Sequence, residues 1–306
     1  MENRNGPIIS VIICSYNTKE ITLKCLDCLK KSIDFLGKPV ETILVENGTD
    51  GTGKYVSKNY DWVKVIEPGE NTGFSKGNNI GLKAVNKNAQ NVLFLNSDAL
   101  VKQETLSKSL EFFERHGDAD VLGCKLILGN GKFQPSAGFL PTPFSVFTWI
   151  MGLDVVLPFV SRLFPQFHPK YKSFFAIDKK VGWVMGAYLF MKRDVVDKTH
   201  GYDENFFAYM EEVEWCRRIK IAGFNVYYTP GFEITHLDKA SSGGDWRTPT
   251  IKEIQGSFYY IKKYYKNDFW WLNLLIKFAV RLRQVAFFVV GNRVRSDIYR
   301  EAAQNL

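Results

Sequence analysis

Short apolar runs alternating with amphipathic stretches set the rhythm of the first hundred residues. Ile8–Cys14 is a β-branched run broken by Ser15-Tyr16-Asn17, and Thr18 is placed to cap a helix over Ile21–Phe35. Val40–Val45 repeats the strand pattern and ends in the turn-rich Glu46-Asn47-Gly48-Thr49-Asp50-Gly51; Val63–Ile66 and Val92–Leu95 are two further short apolar runs. Between the last two, Asn71–Asn88 is a Gly- and Asn-studded loop running into a helix. Four strands alternating with helices predict an α/β fold whose sheet is doubly wound and mostly parallel, Rossmann-like. Ligands of such a sheet sit at the carboxyl ends of its strands, where the polar residues just named lie.

The second half has a different texture. Phe139–His168 is aromatic and aliphatic, with four prolines and only Asp154 and Arg162 as charges, and it reads either as a buried helical insertion or as an apolar flap for a greasy acceptor. After it, Val181–Met191 reads as a strand, Gly201-Tyr202-Asp203-Glu204 as a turn, Tyr209–Ala222 as a helix and Phe224–Tyr228 as a strand. Phe269–Val290 is rich in Trp, Phe, Leu and Val, but Lys277, Arg281 and Arg283 interrupt it, so it lacks the roughly 18 uninterrupted apolar residues that span a bilayer. On a helical wheel Lys266, Asn273, Lys277, Arg281 and Gln284 share one stripe, with Trp271, Leu275, Leu282 and Val289 across from it. That pattern suits a helix lying on an anionic membrane surface, or one packed on the main unit with a solvated basic face.

Composition and charge narrow the classes. The chain of 306 residues is 45% hydrophobic, too apolar for a disordered polymer. Its net +8 would suit nucleic acid, but residues 252–306 carry ten Lys+Arg against four Asp+Glu. Six of the eight charges therefore belong to the aromatic tail, and no nucleic-acid partner is expected. Five scattered cysteines and a polar start, Met1 to Pro7, with no leader-like apolar run point to a reducing, cytoplasmic setting, peripheral on the inner face of the cell membrane if the tail binds lipid. The Cys25-x-x-Cys28 pair falls within a helix with no second ligand pair nearby, and reads as packing.

Four features carry candidate chemistry. Gly48 to Lys54 fits the spacing of a phosphate-binding P-loop, but the next residue is Tyr55, where a small hydroxyl is needed to reach Mg²⁺. Asn96-Ser97-Asp98 ends the fourth strand, placing a hard carboxylate at the sheet edge where Mg²⁺ or Mn²⁺ could bridge a diphosphate. Three acids, Glu211, Glu212 and Glu214, crowd a helix start. Glu214 has Arg217 and Arg218 at i+3 and i+4, whereas Glu212 has Trp215 and Cys216, and Glu211 also lacks a basic neighbour. An unpaired carboxylate among aromatic residues has the character of a general base, and the spacing alone does not choose between Glu211 and Glu212. His236, just after a predicted strand, could ligate Mn²⁺ beside carboxylates or simply be packed.

In order and spacing these motifs resemble the family 2 glycosyltransferases of the GT-A fold, and among them the bacterial rhamnosyltransferase-like branch. The resemblance runs over about residues 8–240, from Ser15-Tyr16-Asn17 through Val45-Glu46-Asn47, Asp50-Gly51-Thr52, Asn71-Thr72-Gly73-Phe74 and Gly77-Asn78-Asn79 to Asn96-Ser97-Asp98. It continues with Gly182-Trp183, Gly186-Ala187, Gly201-Tyr202-Asp203-Glu204, the acidic helix start, and His236 followed by Ser241. It implies a GT-A domain over 1–245, with a nucleotide-sugar half to about 110 and an acceptor half over 111–245, followed by a basic aromatic helical region over 246–306. Tyr16, Asn17 and Glu46 would hold the nucleoside of a dTDP- or UDP-linked sugar, and Asn71, Gly73, Gly77, Asn78, Asn79 and Ser97 would line its diphosphate and sugar. Asp98 would bind the metal, Mg²⁺ or Mn²⁺, with His236 as a further ligand. Glu212 would be the catalytic base, with Trp183, Gly186 and Glu211 on the acceptor side. The implied activity is inverting transfer, L-rhamnose being one candidate sugar, to a glycan or lipid-linked acceptor. A UDP-hexose or UDP-N-acetylhexosamine transferase of the same fold is the alternative, and a non-catalytic sugar-nucleotide module a more distant one. The family more often has Asp where this chain has Glu46 and Glu212, and an Asp where this chain has Asn96.

Overall fold

The computed structural model describes residues 6–153, 165–237 and 247–306. Its first part follows the predicted alternation: β1 (Ile9–Ser15), α1 (Lys19–Leu36), β2 (Val40–Glu46), α2 (Thr52–Asn59), β3 (Val63–Ile66), α3 (Gly73–Lys83) and β4 (Asn91–Asn96). β1 sits between β2 and β4 and pairs with both in parallel, and β2 pairs in parallel with β3. That central place explains why ISVIICS reads as a continuous apolar run: both faces of the strand are covered. Thr18 opens α1 without a side-chain cap; its hydroxyl lies 3.1 Å from that of Thr22.

The sheet continues through short β5 (Ala99–Leu100), then α4 (Thr105–Arg115), β6 (Val121–Leu128), β7 (Phe133–Gln134), β8 (Ala137–Gly138), α5 (Pro143–Met151) and β9 (Lys179–Lys180). The single strand expected over Val181–Met191 is two. β10 (Trp183–Val184) pairs with β8 in a small separate sheet, whereas β11 (Tyr188–Lys192) inserts antiparallel between β4 and β6. The chain changes sheets at Met185–Ala187, where the N–H of Met185 still bonds the Ser136 carbonyl and the carbonyl of Ala187 already accepts from Asn96. α6 (Arg193–Thr199) and α7 (Glu211–Ile221) follow. β12 (Val226–His236) then runs well past the predicted Tyr228, because it pairs in parallel with β6 beyond an irregularity between Thr229 and Glu233. Pro230, which has no N–H to donate, lies inside that irregularity. The path of the sheet is β3-β2-β1-β4-β11-β6-β12-β5, mixed but mostly parallel in its first half.

Apolar clusters cover both faces of the sheet. One contains Leu26, Leu29, Leu106 and Phe112 from α1 and α4. The other holds Phe94, Trp183, Trp215 and Tyr228, and it extends without a break into α8 (Arg247–Tyr264), α9 (Phe269–Val289) and α10 (Arg293–Gln304) through Ile254, Tyr260, Leu272, Ile276 and Ala302. The region after 246 thus shares the core of the α/β unit. Within 139–168, Val146 and Ile150 of α5 and Phe167 are buried, while residues 154–164 and 238–246, with Asp154, Arg162, Asp238 and Ser241, lie outside the described residues. Among the described residues no helix is long and apolar enough to cross a membrane.

Candidate active site

A cleft of about 590 Å³ opens at the carboxyl ends of β1, β2 and β4. Its nucleotide-side wall is a set of loops that bond one another. The Asn47 amide donates to the Gly73 carbonyl (2.9 Å) and accepts from the Thr72 hydroxyl (2.8 Å), and the Asn71 side chain accepts from the N–H of Gly73 (3.0 Å). Gly73 has φ +76°, and a Cβ there would meet the Phe207 ring at 2.7 Å, so glycine is needed for both its conformation and its closeness. The next N–H, of Phe74, bonds the Phe207 carbonyl (2.8 Å), tying this wall to the segment before α7. Tyr16, Asn71, Gly73, Ser97 and Asp98 all line the cleft.

Other sequence-predicted residues do not line the cleft directly. Glu46 is buried, with one carboxylate oxygen accepting from the Ser15 hydroxyl (2.6 Å) and the other from the N–H of Gly48 (2.5 Å); burial raises its pKa and these bonds lower it. Asn17, in the left-handed region at φ 51°, accepts from the N–H of Thr49 (2.8 Å). Gly77 lets α3 approach β1 and β2: a Cβ would lie 2.6 Å from Cys14 Sγ and 2.7 Å from the Asn47 amide. Asn78 donates to the Phe74 carbonyl (2.9 Å). Asn79 is a staple: its amide donates to the Tyr202 carbonyl and to Glu204, and accepts from the N–H of Tyr202. Gly77, Asn78 and Asn79, expected to line the sugar-nucleotide, are not among the residues lining the cleft; Asn79 holds α3 to the Tyr202–Glu204 turn, and Asn78 bonds a carbonyl of its own helix.

At the end of β4, Asp98 and His236 come together, with Nε2 3.2 Å from a carboxylate oxygen. Two strands fix this pair: β5 and β12 run antiparallel with His236 opposite Ala99, and the N–H of Leu237 bonds the Asp98 carbonyl (3.0 Å). His236 Nδ1 lies 2.8 Å from Gln134 Oε1. With that oxygen as acceptor the ring proton sits on Nδ1 and Nε2 turns its lone pair toward Asp98. Asn96 Oδ1, in the same corner, is buried without a hydrogen-bond partner among the described residues. A carboxylate, an imidazole and an unmet amide oxygen suit a divalent cation such as Mg²⁺ or Mn²⁺ that completes its shell with diphosphate and water oxygens. Among the described residues no group of three or more His, Cys, Asp or Glu gathers to hold a metal alone.

The acceptor-side wall centres on the head of α7. Tyr209 and Met210, consecutive non-glycine residues with φ of 71° and 74°, turn the chain into the helix so that Glu211 and Glu212 reach the cleft. α8 presses on this turn through Gly256, where a Cβ would lie 2.9 Å from the Tyr209 carbonyl oxygen. Glu214 takes the other role foreseen for it, fully buried and paired with Arg218 and Lys263. Among the described residues, Glu211 and Glu212 each keep one buried carboxylate oxygen with no hydrogen-bond partner. Burial raises both pKa values, and the Glu212 charge pushes Glu211 up further. The upward push is the stronger at Glu211, where burial and the Glu212 charge act together, while the backbone N–H groups of Glu212 and Gly186 offset part of it at Glu212. Gly186 backs Glu212, the position of a Cβ there lying 3.8 Å from Glu212 Cβ. Trp183 lines the cleft but donates its indole N–H to the Phe167 carbonyl (3.1 Å), so it offers only ring surface.

Sequence reasoning missed several wall residues. His168 and Glu253 lie on the cleft with Nε2 and a carboxylate oxygen 3.0 Å apart; Glu253 raises the pKa of Glu212 and His168 lowers it. Thr248, Pro249, Thr250 and Lys252, from the first turns of α8, close the same side.

Comparison with known proteins agrees with this geometry. The model of the family described as "Glycosyltransferase like family 2" matches residues 6–250. The chain belongs to this family. This family 2 glycosyltransferase is 25% identical over 245 residues to an N-acetylglucosaminyl-diphospho-decaprenol L-rhamnosyltransferase of Mycobacterium tuberculosis, covering 76% of this chain and 78% of that protein. It is 24% identical over 234 residues to the rhamnosyltransferase WbbL of Escherichia coli K12, covering 75% and 83%. In fold it is similar to a mannosyltransferase of Pyrobaculum calidifontis solved with GDP-Man and Mn²⁺, at a TM-score of 0.55 and 14% identity over 98% of this chain and 86% of that one. The GT-A architecture expected from the sequence is therefore the fold of this glycosyltransferase.

Proposed function

We propose that this glycosyltransferase moves L-rhamnose from a dTDP-linked donor onto a hydroxyl of a lipid-linked saccharide in a single inverting displacement, with Glu212 as base. The observation that carries the base assignment is the carboxylate pair at the head of α7, with its unmet oxygens and upward-shifted pKa values. Glu212 takes the acceptor's hydroxyl proton as that oxygen attacks the anomeric carbon, and the carbon–oxygen bond to the diphosphate breaks on the opposite face. With burial and the Glu212 charge both favouring its neutral form, Glu211 would add no second negative charge beside the base. Tyr16 stands half-exposed at the cleft rim, where a nucleoside can lie against its ring, and Asn71, Gly73 and Ser97 line the path toward Asp98.

Asp98 and His236 would hold Mg²⁺ or Mn²⁺, which when bound neutralises charge on the departing diphosphate. The Mn²⁺ bound by the mannosyltransferase of similar fold supports this reading. Rhamnose is supported by the names of the mycobacterial and Escherichia coli relatives, and a lipid-linked acceptor by that of the mycobacterial one. The test is incubation with Mg²⁺ or Mn²⁺ and a panel of dTDP-, UDP- and GDP-sugars plus polyprenyl-diphosphate saccharides, with the anomeric configuration of the product read by NMR. Turnover is expected with dTDP-L-rhamnose and inversion at the anomeric carbon. Turnover with a UDP-hexose or UDP-N-acetylhexosamine instead would reassign the donor, and retention of configuration would reject the single displacement.

A further inference from the structure

α9 has three faces. Leu272, Ile276, Ala279 and Val280 are buried against the core. A second third of its circumference carries Trp270, Leu274, Phe278, Leu282, Val285 and Phe288, whose exposure runs from 40% at Leu282 to 72% at Trp270. This apolar stripe is about 27 Å long at 1.5 Å per residue, and Val290 and Val294, both 73% exposed, extend it past the helix end. A continuous stripe of this length is not ordinary surface scatter but a face that meets something apolar.

Cations border it. Lys277 and Arg281 run along one edge one turn apart, Arg281 bonding Gln284 (3.0 Å), and the Arg293 guanidinium lies 4.1 Å from the centre of the Phe288 ring. No acidic residue occurs within Phe269–Val289. A second copy of the helix laid on the first would therefore bring a cation-edged stripe against another with no acid in either to pair it. A sheet of phosphate headgroups over acyl chains matches both the stripe and its edge.

We infer that α9 lies in the plane of an anionic lipid bilayer, the Trp270–Phe288 stripe sunk into the headgroup–acyl boundary and Arg281 and Arg293 at the level of the phosphates. This docking is independent of which sugar or acceptor the cleft takes. Because α8 supplies Thr248–Glu253 to the cleft wall and shares its core with α9, the bound helix and the active site form parts of one body.

Sedimentation of the full chain with phosphatidylcholine vesicles, with and without phosphatidylglycerol, tests the inference. The protein is expected to pellet with the anionic vesicles. The variant Trp270→Ser/Leu274→Ser/Phe278→Ser should reduce partitioning by about tenfold or more, and Arg281→Gln/Arg293→Gln should weaken pelleting with anionic vesicles, leave that with neutral ones unchanged, and lessen the salt dependence. Circular dichroism and melting check that each variant folds; should the triple variant not fold, the Arg pair, on the solvent side of the helices, decides. Unchanged pelleting of folded variants would overturn the inference. So would the absence of vesicle binding, whether the protein is a monomer by light scattering or a dimer that the triple variant dissociates, the latter outcome assigning the stripe to contact between copies.

Discussion

The two walls of the cleft treat their polar atoms in opposite ways. On the nucleotide side, Asn47 and Asn71, with Glu46 and Asn79 beside the cleft, are each engaged by a neighbouring hydroxyl, carbonyl or N–H, so these loops stand finished before any ligand arrives, the Asn96 amide oxygen at the cation corner being the exception. On the acceptor side, among the described residues, Glu211 and Glu212 keep buried oxygens without partners, and Tyr202, between them and Asn79, keeps a buried hydroxyl without one. Saturated polar groups make a rigid mould; unsatisfied ones hold free energy in reserve for a reacting group. The contrast separates binding shape from chemistry within one cavity.

Four experiments would sharpen or break that contrast. Glu212→Gln removes the base while keeping size and fold, and is expected to cost about 10²–10⁴ in kcat; near-native transfer would show the reserve to be unused. Gln134→Ala frees His236 to turn, and metal affinity measured by titration calorimetry should weaken about 10–100-fold with the melting temperature little changed. Asn79→Ala attacks the mould: the N–H and carbonyl of Tyr202 lose their partner, and stability in urea should fall by about 1–3 kcal/mol with kcat of the folded enzyme retained. A large kcat loss there would mean that the two walls are not separable.

The smallest effect concerns pH. With Glu212 as the proposed base, transfer requires its ionised form, whose pKa burial has raised, so activity should fall with acidification at a pH above the ordinary Glu value of about 4.3. The groups facing it are Glu211, Tyr202, Cys216, His168 and Glu253. His168 lowers that pKa and Glu253 raises it, so in kcat/KM profiles His168→Asn should move the acid limb up and Glu253→Gln should move it down. Shifts of equal sign would break the electrostatic account.

Periodicity made the first α/β half legible, because strands covered on both faces and amphipathic helices leave distinct patterns. β11 was not legible: whether a strand inserts antiparallel between β4 and β6 depends on pairing partners far away in sequence. Among site residues, strand-end Asp98 and the partnerless Glu211 and Glu212 announced themselves by position. Asn79 looks the same in sequence whether it faces a ligand or a loop, and only the partners of its amide show that it holds the Tyr202–Glu204 turn. Gln134 and Thr248–Glu253 carried no signal at all, one lying on a two-residue strand and the others in a helix whose apolar spacing speaks only of packing.

The pairing of β5 with β12 has a further consequence. Since Asp98 and His236 are spaced by strand register, the sheet acts as a ruler for the cation corner. Loop insertions on either side leave the ruler intact, whereas a slip by one residue would swing His236 to the other face of the sheet and erase the corner in one step.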